Sequence, residues 1–434
     1  MSVSFDEANL VPCAGLLPAA VLAQRIDVSG LVDQRLHLGE HGANSGAKAL
    51  TVIGSMLAGG DSIDDTALLR AGALGELFDD TRAPSTIGTW LRDFRWHNVR
   101  QLDAVSRELL IRLWAGGARP GDLAAPLTLD LDSTIVPAYG RSKQGAGFGY
   151  TKVRGYHPQL ATCAETGQVL FSRLRGGSAG AARGAKSFLT ETVSRVRDAG
   201  ATGQLTVRAD SAFYSRAMLC TAPKLKVRLS VTVRQNKNIR AAIAAIGESA
   251  WTPIPYWLST PEVSGADVAE TSYTAFAATK QAITVRLIVR RVRPTPGSQL
   301  ALFTTFDYHA LVTDRGGDML ELEADHRRHA IVEQSIAELK SAGLAHLPSS
   351  RFPANAAWLG LTVMAHNLGR AIGILAGNEL NRATAATLRR AVFTVPGRLV
   401  HSARRQRLRL PERWPWADAF TTALSAITAI PIRY

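Results

Sequence analysis

The sequence predicts an α/β protein, because helical and strand-like patterns of apolar residues occupy different parts of the chain. Up to about residue 118, apolar residues recur at helical spacing, as from Leu102 to Leu113, and a Gly-Gly pair followed by Pro120 ends this pattern. From Leu127 onward, apolar and polar residues alternate, which is typical of a β-strand with one polar face. With 434 residues, of which 46% are hydrophobic, the chain is long enough for two or three domains with substantial cores.

The segment after residue 127 predicts the core of the fold. Its elements follow one another in the order strand, strand, strand, helix, strand, helix, strand. They are expected at residues 127–132, 160–164, 169–174, 188–200, 204–208, 216–225 and 229–233. This is the order of the ribonuclease H-like fold, and residues 165–168 are expected to form the turn between the second and third strands.

Three further strands, expected at residues 271–277, 283–292 and 300–306, indicate a β-rich insertion into this core. We therefore divide the chain into five regions. They are a helical N-terminal region (1–118), the first part of the ribonuclease H-like core (119–240), the β-rich insertion (241–322), the last two helices of the core (323–376) and a basic C-terminal region (377–434).

The charge of the chain is strongly positive and unevenly distributed. The formal net charge is +14; residues 341–434 contain 12 Lys and Arg against 3 Asp and Glu, whereas residues 1–120 contain 11 against 14. A positive field of this size favours polyanions, of which nucleic acid is the most common. The alternative is that the charge serves only solubility.

Cysteine usage and the N-terminus indicate the compartment. Cys13, Cys163 and Cys220 are widely spaced and form no C-x-x-C pair, which indicates a reducing compartment and no zinc site. The N-terminus carries acidic residues and no basic signal-peptide region, and no apolar run reaches the length of a membrane span. We therefore expect a cytoplasmic protein that does not contact a membrane.

Four polar residues in the last part of the core have the spacing of one helical face. His326, His329, Glu333 and Lys340 recur at steps of three, four and seven residues, which places them within roughly 60° of one another on an α-helix. Such side chains are costly to bury unless they have a function. For each histidine, a packing role and a contact with a phosphate both fit this pattern.

Asp132 and Asp210 each end an apolar, β-branched run far upstream of this helix. An aspartate at a strand end is often a turn or cap residue, but three acids brought together from two strands and a helix make a metal site. We predict that Asp132, Asp210 and Glu333 bind Mg²⁺, with Mn²⁺ as a substitute, and that Asp132 bridges two ions. Asp130 lies on the same face of its strand as Asp132 and could share this role. Lys340 is predicted to act in catalysis by holding a phosphate.

These residues resemble the motifs of DDE transposases of bacterial insertion sequences. The matching segments are Asp132-Ser133-Thr134, Arg208-Ala209-Asp210-Ser211 and His326-x2-His329-x3-Glu333-x6-Lys340. More narrowly, the chain is similar to insertion-sequence family thirteen-eighty of the four-like superfamily, whose helix signature is Tyr-x2-Arg-x3-Glu-x6-Lys. His326 and His329 stand at the Tyr and Arg positions, and the neighbouring Arg327 and Arg328 are candidates to take over their contacts with DNA phosphates.

The resemblance implies a DNA-binding N-terminal region, a ribonuclease H-like core with a β-strand insertion before Glu333, and Mg²⁺-dependent cut-and-paste transposition. It also implies a homodimer that binds double-stranded DNA at the terminal inverted repeats of the element and at the target. It selects Asp132, which precedes Ser-Thr, over Asp130 as the metal ligand. In the C-terminal region, we predict that four arginines contact DNA phosphates: Arg404, Arg405, Arg407 and Arg409.

Two alternatives remain open from the residues alone. The first is a DNA-binding protein derived from a transposase that has lost catalysis, which the two histidines in the helix motif suggest. The second is a metal-dependent nuclease that cleaves DNA without joining the ends to a target.

Overall fold

A nine-stranded mixed sheet forms the centre of the fold in the computed structural model, which describes residues 1–78, 80–149, 151–255, 265–293, 306–377, 380–402 and 405–433. In chain order its strands are β1 (Leu127–Ser133), β2 (Gln159–Cys163), β3 (Val169–Arg173), β4 (Leu205–Ala209), β5 (Val227–Val233), β6 (Thr252–Pro253), β7 (Ala266–Ala275), β8 (Ile283–Val292) and β9 (Asp307–Thr313). They lie side by side in the order β6-β7-β8-β9-β5-β4-β1-β2-β3. Arg404 and residues 300–305 of a predicted strand lie outside the described residues.

The α-helices of the described residues accompany this sheet. They are α1 (Leu17–Arg25), α2 (Val28–Arg35), α3 (Ser45–Ala58), α4 (Pro84–Arg92), α5 (Trp96–Ala115), α6 (Ala185–Asp198), α7 (Arg216–Thr221), α8 (Lys237–Ala244), α9 (Met319–Arg327), α10 (Ile331–Lys340), α11 (Phe352–Ala376), α12 (Ala385–Leu388) and α13 (Ala417–Ala429). Five of them precede β1, so the first part of the chain is helical, as the apolar spacing predicted.

The strands β1 to β5 form one half of the sheet and run in mixed directions. β1, β4 and β5 are parallel, β2 is antiparallel to β1, and β3 is antiparallel to β2. Along the chain the elements occur in the order β1, β2, β3, α6, β4, α7, β5, which is the predicted order. The α/β class is therefore confirmed, and the predicted turn at residues 165–168 connects β2 to β3.

The inserted strands continue the same sheet. β7, β8 and β9 are antiparallel neighbours, and β9 pairs with β5 from Thr313 opposite Ser230 to Ala310 opposite Val233. The strands predicted at residues 271–277 and 283–292 correspond to β7 and β8. The strands predicted as an insertion are therefore bonded to β5 through the backbone of β9.

The N-terminal helices and the C-terminal region share one hydrophobic core. It contains buried residues from both ends of the chain and from the helix between them, such as Leu22 in α1, Leu109 in α5, Leu368 in α11 and Phe420 in α13. These two regions are therefore packed together around α11.

The helix α11 is fixed to the turn between β2 and β3. The side chain of Asn367 accepts a hydrogen bond from the N–H of Val169 and donates one to its carbonyl oxygen, both at 2.8 Å. Contrary to prediction, α11 is long and apolar enough to cross a membrane, and the bent helix pair at residues 14–35 also qualifies if it is treated as one span. Within the fold, 78% of the apolar stretch of α11 is buried, as in a core helix.

Candidate active site

The carboxyl ends of β1 and β4 place two of the predicted acids side by side. These strands are parallel neighbours, and Asp130 of β1 lies opposite Arg208 of β4. Asp132 and Asp210 each follow two residues later, so they occupy the same level of the sheet and the same face. Neighbouring strands are about 4.8 Å apart, which brings the two aspartates close together at this edge.

Asp130 has its counter-charge inside the protein. Its side chain is 0% exposed, and Nε and Nη2 of Arg208 donate to its two oxygens at 2.8 Å each. Arg208 also donates to the backbone oxygen of Asp325, at the end of α9, at 2.5 Å. Asp130 therefore joins β1, β4 and α9, and this role agrees with the choice of Asp132 as the metal ligand.

Asp132 lies in a different environment. Its carboxylate accepts a hydrogen bond from the N–H of Ser133 at 2.6 Å. Burial, together with the negative charges of Asp210 and Glu333, raises the pKa of Asp132 to about 6. Burial also raises the pKa of Asp210. Carboxylates that repel one another in a largely buried site are stabilised by a bound cation.

The third predicted acid lies on a helical segment that is not one continuous α-helix. α9 ends at Arg327, a 3₁₀ turn covers Arg328–Ala330, and α10 begins at Ile331. A 3₁₀ turn advances by about 120° per residue and an α-helix by about 100°, so three such residues rotate α10 by about 60° relative to α9. The four residues therefore lie on two helices and the turn between them and not on one continuous α-helix, but this rotation is too small to take them off a common side.

The helix α10 has one apolar face and two unpaired charges beside it. Val332 and Leu339 are buried in the core, and α10 packs against α11. In the described part of the chain, Glu333 and Lys340 have no ion pair or side-chain hydrogen bond. Burial lowers the pKa of Lys340, and the charge of Asp132 opposes this shift. Glu333 and Lys340 therefore both lie within electrostatic range of Asp132.

The two histidines contact different parts of the structure. In His326, Nδ1 is hydrogen-bonded to the hydroxyl of Ser230 and Nε2 to that of Thr232, each at 2.8 Å. Burial lowers the pKa of His326 to about 4, so its ring is neutral at neutral pH. A contact between His326 and DNA would require these bonds to break. His329, in the 3₁₀ turn, is bonded to Asp130 through Nδ1 at 2.9 Å.

The donor set fits a divalent cation that is bound together with substrate. Among the described residues, no group of three or more His, Cys, Asp and Glu side chains could hold a metal ion as it stands. Mg²⁺, however, usually keeps several waters and takes one or two carboxylates plus substrate phosphates, so a closed protein cage is not required. The raised pKa of Asp132 and the unpartnered, buried Nε2 of His329 agree with a site that a cation completes.

The arginines between α9 and α10 differ in their availability to DNA. Arg327 forms an ion pair with Glu323 at 2.9 Å. The side chain of Arg328 is 67% exposed and only reaches Asp325 at 4.0 Å. Arg328 is therefore the more accessible of the two predicted DNA contacts.

The C-terminal arginines lie on a small antiparallel sheet. The strand Arg405–Arg409 pairs with Gly397–Ser402, which in turn pairs with Leu10–Val11. Arg405, Arg407 and Arg409 alternate along their strand, so they project from one face, and all three are exposed. This face, which we call the arginine face, is free to meet a phosphate backbone.

The sequence did not predict two polar features of the site, the ion pair between Asp130 and Arg208 and the buried His157, although a signal for the ion pair was present. Asp130 precedes Asp132 by the same two residues by which Arg208 precedes Asp210, and parallel pairing turns this shared offset into an ion pair. No comparable signal marks His157, which is buried and contacts the hydroxyl of Ser133 through Nε2 at 3.0 Å.

A solved structure and a family model are among the matches to this chain. A structure of the piggyBac transposase synaptic complex with hairpin DNA is 13% identical in sequence, with a TM-score of 0.44, and the match covers 88% of this chain and 79% of that one. No curated protein matches the chain. The family model described as transposase DDE domain group 1 matches residues 2–432. Because this match spans almost the entire sequence, the chain belongs to the family of transposases with a DDE domain of group 1.

Proposed function

We propose that this protein catalyses cut-and-paste transposition of an insertion sequence and that its ribonuclease H-like core is the catalytic unit. The observation that carries the proposal is the position of Asp132 and Asp210 at the carboxyl ends of adjacent parallel strands, with the charge of Glu333 acting on Asp132. The chain order of strands and helices from β1 to β5 supports the assignment of the core.

Asp132, Asp210 and Glu333 are the residues that would hold Mg²⁺, for which Mn²⁺ can substitute, and Asp132 would bridge two ions. When bound, these ions supply activation of the attacking oxygen and stabilisation of the leaving one. Lys340 would bind a phosphate oxygen, because its ammonium lies within range of Asp132 and has no other partner among the described residues. In the first reaction water attacks the phosphodiester and the 3′ oxygen leaves as a hydroxyl. In the second, that hydroxyl loses its proton and attacks a phosphodiester of the target, and the 3′ oxygen of the target strand leaves as a hydroxyl.

The partners follow from the charge of the surface. We propose that the protein binds double-stranded DNA at the terminal inverted repeats and at the target, and that a homodimer holds the two element ends. Arg328 and the arginine face are the supported contacts, and residues 1–118 are the proposed end-binding region. Membership of insertion-sequence family thirteen-eighty, a bacterial source and a cytoplasmic location belong to the same proposal.

The test is an assay with purified protein and DNA that carries the element ends. With Mg²⁺ or Mn²⁺ present, we expect nicking at the ends and products joined to target DNA, and neither with chelator. Asp210→Asn should abolish both reactions, since the variant keeps the size of the side chain but loses its charge. Equal cleavage by Asp210→Asn and the wild type would contradict the proposal.

The same assay separates the two alternatives. Cleaved ends without joined products would identify a nuclease. Salt-sensitive binding to the ends without any cleavage would identify a DNA-binding protein that has lost catalysis, as the histidines at the Tyr and Arg positions of the motif first suggested.

A further inference from the structure

His329 is oriented by a carboxylate whose own position is fixed. Its Nδ1 lies 2.9 Å from Oδ1 of Asp130. Because Arg208 donates to both oxygens of Asp130, this carboxylate acts as an acceptor. Nδ1 of His329 must therefore carry the hydrogen of this bond, and in the neutral ring Nε2 is left with a free lone pair.

The free nitrogen of His329 is buried and has no hydrogen-bond partner. A buried polar atom without a partner costs about 1–3 kcal/mol, so it marks either a defect or a place for a ligand. The side chain as a whole is 14% exposed, so the site can be reached from solvent. His326, one turn earlier, differs because hydroxyl groups bind both of its nitrogens.

The ring of His329 lies beside the two strand-end aspartates. Its bond to Oδ1 of Asp130 places the ring against β1, on the strand face that also carries Asp132 two residues later. In agreement with this position, the charge of the protonated ring lowers the pKa of both Asp132 and Asp210. Asp132 and Asp210 lie at the same level of adjacent strands. The two aspartates and the imidazole therefore lie at one edge of the sheet, although among the described residues they do not form a closed metal site as they stand.

We propose that Nε2 of His329 is a ligand of the divalent cation held by Asp132 and Asp210. Metal-binding histidines usually donate their other N–H to a carboxylate, which fixes the ring and raises its basicity, and Asp130 is placed to do this for His329. The proposal rests on the metal site of the proposed function. It adds a nitrogen to a site that the motif describes with oxygen ligands alone.

A nitrogen ligand changes the preferred metal. Mg²⁺ favours oxygen donors, whereas imidazole suits transition metals, which lie higher in the general order of affinity. The site should therefore bind Mn²⁺ more tightly than Mg²⁺, and removal of the imidazole should reduce this preference.

The structure offers a clean variant and a matched control. In His329→Asn, the side-chain amide can take the place of Nδ1 and still donate to Asp130, but no atom remains at the position of Nε2. His326→Asn removes the neighbouring imidazole, whose nitrogens are already bound to Ser230 and Thr232. Thermal melting of each variant verifies that it is folded.

The experiment measures Mn²⁺ binding to the full-length protein without DNA, by the loss of the free Mn²⁺ signal in electron paramagnetic resonance. We expect His329→Asn to weaken Mn²⁺ binding at least about tenfold, the range found when ligand environments of metal sites are disturbed. Pulsed measurements on the bound ion should detect coupling to an imidazole nitrogen in the wild type and in His326→Asn, and none in His329→Asn.

The outcomes separate this inference from the proposed function. If His329→Asn binds Mn²⁺ within twofold of the wild type while Asp132→Asn does not bind it, the metal site stands and the role of His329 is overturned. A nitrogen coupling that persists in His329→Asn has the same meaning. If the wild type binds no Mn²⁺ either alone or, beyond what the DNA itself binds, with DNA that carries the element ends, or if Asp132→Asn binds it equally well, both proposals fail.

Discussion

The helices α9 and α10 follow one another in the chain, but their charged side chains have different partners. On α9, Asp325 is bound by Arg208 and Arg315, and both contacts lie inside the fold. On α10, Glu333 and Lys340 have no such partner among the described residues. Glu338, on the buried side of α10, contacts His366. The 3₁₀ turn between the helices therefore separates α9, which internal ion pairs fix, from α10, on which Glu333 and Lys340 have no such pair among the described residues.

This difference indicates that α9 contributes to stability and α10 to catalysis. A buried ion pair fixes geometry, because removing either partner leaves an uncompensated charge. A charge without an internal partner remains available to a ligand. Groups with a shifted pKa, such as Asp132 near these charges, cluster at functional sites. We therefore expect changes on α10 to affect catalysis and changes around α9 to affect stability.

The largest effect is expected from Glu333→Gln on α10. Loss of this carboxylate should reduce DNA cleavage by roughly ten-thousandfold, which is about 5 kcal/mol of barrier, because a charged metal ligand is removed. The free energy of unfolding should hardly change, since the side chain is exposed. Cleavage rates and urea denaturation measure the two quantities. Glu321→Gln, an exposed glutamate on α9, is the control and should retain its activity.

The second largest effect is expected on stability, from the ion pairs around α9. Arg208→Met should lower the free energy of unfolding by about 3–5 kcal/mol, because it leaves Asp130 buried without its counter-charge. Arg228→Met is the control, since its side chain is 53% exposed and lies 3.6 Å from Asp314; an exposed pair is worth about 0–1 kcal/mol. Similar losses in both variants, measured by urea denaturation, would contradict the division between α9 and α10.

A smaller effect is expected from His326, and it depends on pH. Burial lowers its pKa from the usual value of 6.5 to about 4, so between these pH values the unfolded chain binds a proton that the folded protein does not bind. This group should therefore reduce stability as pH falls from about 6.5 to 4, by up to about 3 kcal/mol.

The measurement for His326 is urea denaturation at pH 7.5 and pH 4.5. His326→Gln should lose less stability between the two values than the wild type, whatever its stability at pH 7.5. His346→Gln, which replaces an exposed histidine, should follow the wild type. An unchanged difference in His326→Gln would mean that protonation of this ring does not oppose folding.

The smallest effect per residue is expected on the arginine face. Its arginines, like Glu333 and Lys340 of α10, form no ion pair among the described residues. Each lost phosphate contact should reduce the slope of log affinity against log salt concentration by about 0.9. Replacing Arg405, Arg407 and Arg409 by Gln should flatten this slope in DNA-binding measurements. Arg286→Gln is the control, because Glu270 already binds that guanidinium. Equal slopes would place the DNA elsewhere.

The sequence predicted the elements of the sheet better than the details of the site. Alternating apolar residues located β1, and an apolar, β-branched run located β4. Their parallel pairing then determines that Asp132 and Asp210 are neighbours. The 3₁₀ turn after α9 was missed because Arg328–Ala330 contains no proline or glycine, so its winding depends on tertiary contacts such as that of His329 with Asp130.

The sequence alone could not distinguish the roles of His326 and His329, because these also depend on tertiary contacts. Their spacing is the same whether a ring contacts a hydroxyl, a carboxylate or a phosphate. Only the position of β5 shows that Ser230 and Thr232 occupy the nitrogens of His326. Asp130 was considered a possible ligand because it shares a strand face with Asp132. Its ion pair with Arg208 could not be predicted, since Arg208 lies 78 residues away in the chain.

The pairing of β9 with β5 means that the inserted strands cannot be treated as a removable module. Cutting them out would turn β5 into an outer strand with unpaired backbone groups along Ser230 to Val233, a template for aggregation. Engineers who wish to shorten this protein should therefore trim between β7 and β8, at the far side of the sheet, and leave β9 in place.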